Sequence, residues 1–183
     1  MKKNTLVIAM IAAMNVGGIS MAHAAASTTS VSGGTINFEG QVVDAACSIS
    51  ADSQNQTVTL DQVRTDKLAT AGKPAGQQKS FNIVLKDCET TTVTNASVTF
   101  NGQTDADLPT ALKNTAGAGS AANVALQLYG PDGNVLNMGE ESSKVTLLSG
   151  DTVIPLSVDY VATAAAATAG AVASTATFQV NYN

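Results

Sequence analysis

The sequence predicts an all-β fold, an antiparallel sandwich or barrel and not a parallel sheet. Three observations carry this. Short runs of β-branched and aromatic residues alternate with polar ones, the two-residue period of half-buried strands. Clusters of Gly, Asn, Asp and Ser separate the runs and punctuate a chain that turns often. Pro131, Asp132, Gly133 and Asn134 sit between two such runs as a hairpin turn, with Gly133 supplying a positive φ.

The elements follow in chain order. Residues 1–24 predict a secretory signal peptide: Lys2 and Lys3 are followed by an uncharged apolar run over residues 6–14, then by Gly17, Gly18 and Ser20, and Ala22 and Ala24 flank His23 in a small-x-small cleavage pattern. Cleavage is expected after Ala24, with Ala25 or Ala26 as near alternatives. A membrane anchor is the competing interpretation, and the apolar run is far short of the roughly 20 residues a span needs. Strands are expected near residues 35–43, 57–60, 80–86, 97–100, 124–129, 135–138, 144–148, 152–161 and 176–182, with a short helical turn within 61–67. Two stretches, 115–123 and 162–174, are rich in Ala, Gly, Thr and Ser. Alanine favours helix, but Thr168 and Gly170 interrupt the second stretch between two strand patterns, which argues for a flexible loop.

Removal of the signal leaves 159 residues, enough for one domain with a sizeable core. Loss of Lys2 and Lys3 leaves seven basic residues against fourteen acidic ones, a formal charge of −7. Nucleic acid is not an expected partner, because phosphate binding needs clustered Lys and Arg. The only histidine, His23, is lost as well. With it go the Ser/His and Cys/His nucleophile pairs, the imidazole general base and the imidazole metal ligand. No cofactor and no metal are expected, and no enzymatic activity.

Cys47 and Cys88 lie 41 positions apart in a chain bound for an oxidising compartment, where a lone pair is most simply a disulfide. A bridge of that span is worth about 4 kcal/mol in the loop-entropy account. A two-thiol metal site is the alternative, and no histidine or further cysteine completes it. Other candidate constellations are weak. Asp105 and Asp107 begin like a calcium loop, but Leu108 and Pro109 follow where oxygen ligands belong. Glu140 and Glu141 are adjacent, so in a strand they would point to opposite faces.

The two ends of the mature chain are more informative. Gly34, Ile36, Phe38, Gly40 and Val42 fall on one face of a strand, and Ala176, Phe178, Val180 and Tyr182 on one face of another. Periodicity alone makes both ordinary half-buried strands of one domain. The run from Gly34 to Cys47, however, resembles the G-x-(I/V)-x-F-x-G-x-V-V-x-A-x-C opening of the chaperone/usher pilins. Val58, Leu60, Asp61 and Val63, then Phe81 to Leu85 with Cys88, then the penultimate Tyr182 continue the match to the end of the chain. Within that family the similarity is greatest to the type 1 major subunits, whose Ala-Ala-x-Thr-Thr opening is seen at residues 25–29.

The resemblance implies an immunoglobulin-like sandwich that lacks its last strand and is completed by a donor strand from a neighbouring subunit. It implies a donor extension over residues 25–43 and a pilin domain over 44–183. Gly34, Ile36, Phe38, Gly40 and Val42 would form the donor face; Phe178, Val180 and Tyr182 would border the acceptor groove and the chaperone-binding edge. The partners it implies are identical neighbours in a head-to-tail homopolymer, a periplasmic chaperone, an outer-membrane usher and other fimbrial subunits. The implied location is the cell surface, reached through the periplasm, and the implied function is that of a structural subunit of an adhesive fimbria. A minor adaptor or tip-associated subunit is the alternative. A lectin-type tip adhesin fits poorly, since the chain has no tryptophan and no room for a second domain.

Overall fold

A computed structural model describes residues 31–43 and 45–183. The expected signal peptide, residues 25–30 of the expected donor extension and Asp44 lie outside the described residues. The chain divides between Gly40 and Gln41 into two compact units. Of the first, residues 31–40 carry no helix and no strand and are exposed throughout. The strand expected at 35–43 therefore does not form in this chain. Its alternating apolar residues pair with no strand among the described residues.

The second unit is a two-sheet antiparallel sandwich. Its elements are β1 (Ser48–Ile49), α1 (Ala51–Gln54), a 3-10 helix (Thr65–Leu68), β2 (Lys79–Cys88), β3 (Asn95–Gly102), β4 (Leu112–Lys113), β5 (Val124–Tyr129), β6 (Val145–Thr146), β7 (Gly150–Ala162) and β8 (Ala176–Tyr182). One sheet has the order β1-β2-β7-β5-β4 and the other β6-β3-β8, with every pair antiparallel.

Alternation along each strand builds the core. Ile83 and Leu85 of β2, Ile154, Leu156 and Val158 of β7, and Leu126 and Leu128 of β5 face Ala96, Val98 and Phe100 of β3 across the sandwich, all buried. The two layers meet through aromatic rings: Phe100 lies 6.5 Å from Phe81 edge-to-face and 5.9 Å from Phe178. On the outer face of the larger sheet Asp159 is fully buried. Its carboxylate accepts the N–H groups of Gly76 (2.8 Å) and Gln77 (3.1 Å), pinning the loop that crosses over it. Buried Gln127 is likewise satisfied by the hydroxyl and carbonyl of Thr110.

Several expectations need correction. The turn at 130–134 forms, with Gly133 at φ 76° and its N–H bonded to the Gly130 carbonyl, but the strand expected at 135–138 is reduced to a single bridge between Val135 and Tyr129. The helical turn expected within 61–67 appears as the 3-10 helix. The strand expected at 57–60 is absent, and no backbone hydrogen bond is made by residues 56–63 among the described residues. The loops at 115–123 and 162–174 are laced together by hydrogen bonds. Thr115 and Ala121 donate to the carbonyls of Ala173 and Ala171, and the Asn114 amide bonds the carbonyls of Ala121 and Ala171. Gly170 permits this contact: a Cβ there would stand 2.3 Å from the Ala121 nitrogen.

Candidate strand-acceptor groove

Four strands end the two sheets, and three of them, β1, β4 and β6, are two residues long. The fourth, β8, runs for seven residues and pairs only with β3. A long unpaired edge is a template for another strand, and proteins ordinarily blunt or cover one. Here nothing among the described residues pairs with it.

The hydrogen-bond alternation shows which groups this edge offers. Asn183 and Asn95 exchange both backbone bonds, at 3.0 and 2.9 Å. In an antiparallel ladder bonded and non-bonded pairs alternate, so the pairs of 181 with 97, 179 with 99 and 177 with 101 face each other through bonds. The N–H and C=O groups of Ala176, Phe178, Val180 and Tyr182 are left directed at the open edge. The β3 side agrees, since the carbonyls of Val98 and Phe100 accept from Ser142 and Gly139 on its far flank.

The same four residues point their side chains at the core, and all four are only half-buried. Val58, Leu60 and Val63 of the unpaired 56–63 segment, together with Phe81, also pack half-buried against the same core. An apolar row with cover on one side and unpaired backbone on both banks is a groove shaped for a strand. Tyr182 fixes one end of it: its hydroxyl donates to the Cys47 carbonyl at 3.1 Å, and Cys47 is joined by a disulfide to Cys88. Burial raises the Tyr182 phenol above its ordinary value. Toward the start of β8, Val63, Leu68, Val124, Tyr160 and Val172 wall a cavity of about 260 Å³.

The pair expected from the sequence, Cys47 and Cys88, is thus covalently joined. Phe178, Val180 and Tyr182 stand together along the open edge. Gly34, Ile36, Phe38, Gly40 and Val42 are all exposed, Phe38 at 89% and Val42 at 100%. The second bank and Tyr160 were not singled out from the sequence as site residues. Val58 and Leu60 did stand out by their alternation, which reads equally as an ordinary strand.

A fimbrial protein family model matches residues 36–183. The chain belongs to the fimbrial protein family. It is 44% identical over 187 residues to a type 1 fimbrial subunit of Klebsiella pneumoniae and 42% identical over 186 residues to the A chain of an Escherichia coli type 1 fimbrial protein, each covering 100% of both chains. Among solved structures, a chaperone–usher pilus is similar at a TM-score of 0.69 and 27% identity, covering 86% of this chain and 100% of that one. The fold is the immunoglobulin-like pilin sandwich, and the fimbrial subunit is a structural protein that joins neighbouring subunits in a surface fimbria.

Proposed function

We propose that this subunit polymerises by donor-strand exchange: Gly34, Ile36, Phe38, Gly40 and Val42 of one copy fill the groove bordered by Phe178, Val180 and Tyr182 of the next. The single observation that carries this is the seven-residue open edge of β8, with half-buried side chains behind it. The exposure of Ile36, Phe38 and Val42 supports it from the other side, because three large apolar side chains are left without cover among the described residues. Burying them contributes roughly 5–9 kcal/mol before main-chain bonds and ordering costs. A contact between two different surfaces that does not close on itself propagates as a fibre.

On this reading residues 1–24 are the export signal, 25–43 the donor extension and 44–183 the pilin domain. A periplasmic chaperone holds the open edge until an outer-membrane usher exchanges it for the next subunit. The chain does no enzymatic chemistry; its work is strand pairing. Separable truncations test the proposal. Deleting residues 25–42 leaves a soluble, chaperone-bound subunit that cannot polymerise, whereas deleting residues 178–183 abolishes chaperone capture. Phe38→Asp blocks assembly while the chaperone complex survives, since an unpaired charge is costly in an apolar groove. Co-purification with the chaperone and fibre yield are the measurements. Loss of chaperone binding in the N-terminal truncation, as complete as in the C-terminal one, would refute the donor assignment.

A further inference from the structure

We infer that Tyr160 is a positioning residue for strand uptake: by holding the backbone of Asp61, its hydroxyl sets where the second bank of the groove stands. The inference rests on the donor-strand reading, because a bank matters only if a strand enters beside it.

The bank, residues 56–63, is held unlike any other wall of the sandwich. It makes no backbone hydrogen bond among the described residues. Its neighbours are fixed: Ser53 bonds the Val84 N–H just before it, and Leu68 of the 3-10 helix is buried just after it. Within residues 56–63, among the described residues, only Asp61 is tied by hydrogen bonds, at two atoms. The Tyr160 hydroxyl donates to its carbonyl at 3.1 Å, and the Lys79 ammonium approaches its carboxylate at 3.2 Å.

The two ties are unequal. Lys79 and Asp61 are solvent-exposed, and exposed ion pairs contribute little. Tyr160 is buried at 9% exposure near the C-terminal end of β7, paired there with Leu126 of β5, so its ring has a fixed origin. Burial, followed by the Asp61 and Asp159 charges, holds the phenol above its ordinary value and keeps the proton that makes the bond. Val58, Leu60 and Val63 contribute apolar contact, which is non-directional and tolerates sliding. Among the described residues the Tyr160 hydroxyl is therefore the one directional constraint on the bank that comes from a buried side chain.

Strands pair at about 4.8 Å, so a strand lodged between β8 and this bank needs them roughly 9–10 Å apart. A bank held in place before the strand arrives spares the incoming strand the cost of ordering it.

The test uses the complex of the mature subunit with its chaperone and a synthetic peptide of residues 25–43 as incoming strand. Tyr160→Phe keeps the ring and removes the hydroxyl. The expected result is an unchanged yield of complex, unchanged hydrogen-exchange protection of β2 and β7, and replacement of chaperone by peptide roughly 3- to 10-fold slower, the scale of one part-buried hydrogen bond. Lys79→Ala is expected to stay within about twofold of the parent rate. Wild-type exchange kinetics in Tyr160→Phe would overturn the inference and leave the donor-strand reading standing. A parent complex that never accepts the peptide would overturn that reading itself, and this inference with it. A Tyr160→Phe subunit that fails to accumulate with the chaperone, or loses protection across β2 and β7, would make Tyr160 an ordinary core residue and also overturn the inference.

Discussion

Strands β5 and β8 read alike in sequence and end differently in the fold. Both are short alternating runs that close on a tyrosine. Yet every residue of β5 is buried, and no residue of β8 is. The neighbours explain it. β5 lies between β7 and β4, and Thr110 and Ala111 close over its outer face through Gln127 and Ala125. Among the described residues β8 has β3 on one side and no strand on the other. Its apolar residues fit a sandwich with one more strand along this edge than the described residues provide. The pattern in β8 thus records a partner that comes from outside.

The largest effects should separate a strand whose core is complete from one whose core is not. Ile154, fully buried on β7, has its whole environment within the subunit. Ile154→Ala is expected to cost about 2–5 kcal/mol, equally with and without a bound donor peptide. Val180 on β8 is half-buried until a strand covers it. Val180→Ala should cost about 1 kcal/mol in the bare subunit and about 2 kcal/mol in the complemented one. Urea midpoints of both variants, measured with and without the peptide of residues 25–43, decide it. Equal costs for Val180→Ala in the two states would mean that no donor covers β8.

How much was legible in the sequence follows the same division. Strands with partners inside the chain were visible from alternation: β5 falls where expected, and β2, β3, β7 and β8 are found with longer or equal bounds. Where alternation has no internal partner it misleads, because side-chain periodicity encodes a face and not the identity of the strand beside it. Residues 35–43 and 57–60 carry the pattern without forming strands. Only family resemblance pointed to an outside partner. The interlaced loops escaped for a different reason. Their order comes from Asn114, Asn123 and Thr168 bonding distant carbonyls and amides, and from the close approach at Gly170, none of which has a local period.

A smaller effect tests the covered face of the larger sheet against the open edge. Asp159→Ala leaves the Gly76 and Gln77 amides without their acceptor and is expected to cost about 1–3 kcal/mol. Hydrogen exchange should accelerate at those two amides, and peptide uptake should stay at the parent rate, because the register of β7 with β2 and β5 still holds Tyr160 in place. Slowed uptake in this variant would show that the outer face and the groove are coupled.

The smallest effect lies in alkaline titration, and it distinguishes the tyrosine of the open edge from those of the covered sheet. Burial is the leading cause that raises Tyr129, Tyr160 and Tyr182 above the ordinary phenol value of about 10. A raised folded value means that the native state holds its phenolic protons more tightly than the unfolded chain. The resulting stability is fully present below the ordinary value and is lost as pH rises through the raised ones. Tyr129 and Tyr160 are buried by their own subunit, so their share should be the same in bare and complemented protein. Tyr182 is half-buried at the end of β8, and an added strand would cover it further, raising its phenol again. The alkaline loss of stability should therefore begin at the same pH, near the ordinary phenol value, but run deeper and extend to higher pH once the donor peptide is bound. Tyr182→Phe should remove that difference, along with the hydroxyl's bond to the Cys47 carbonyl, while the shares of Tyr129 and Tyr160 remain. Urea stability measured across the alkaline range, with and without peptide, checks both statements. A peptide-dependent shift that survives in Tyr182→Phe would place the added cover elsewhere than along the open edge.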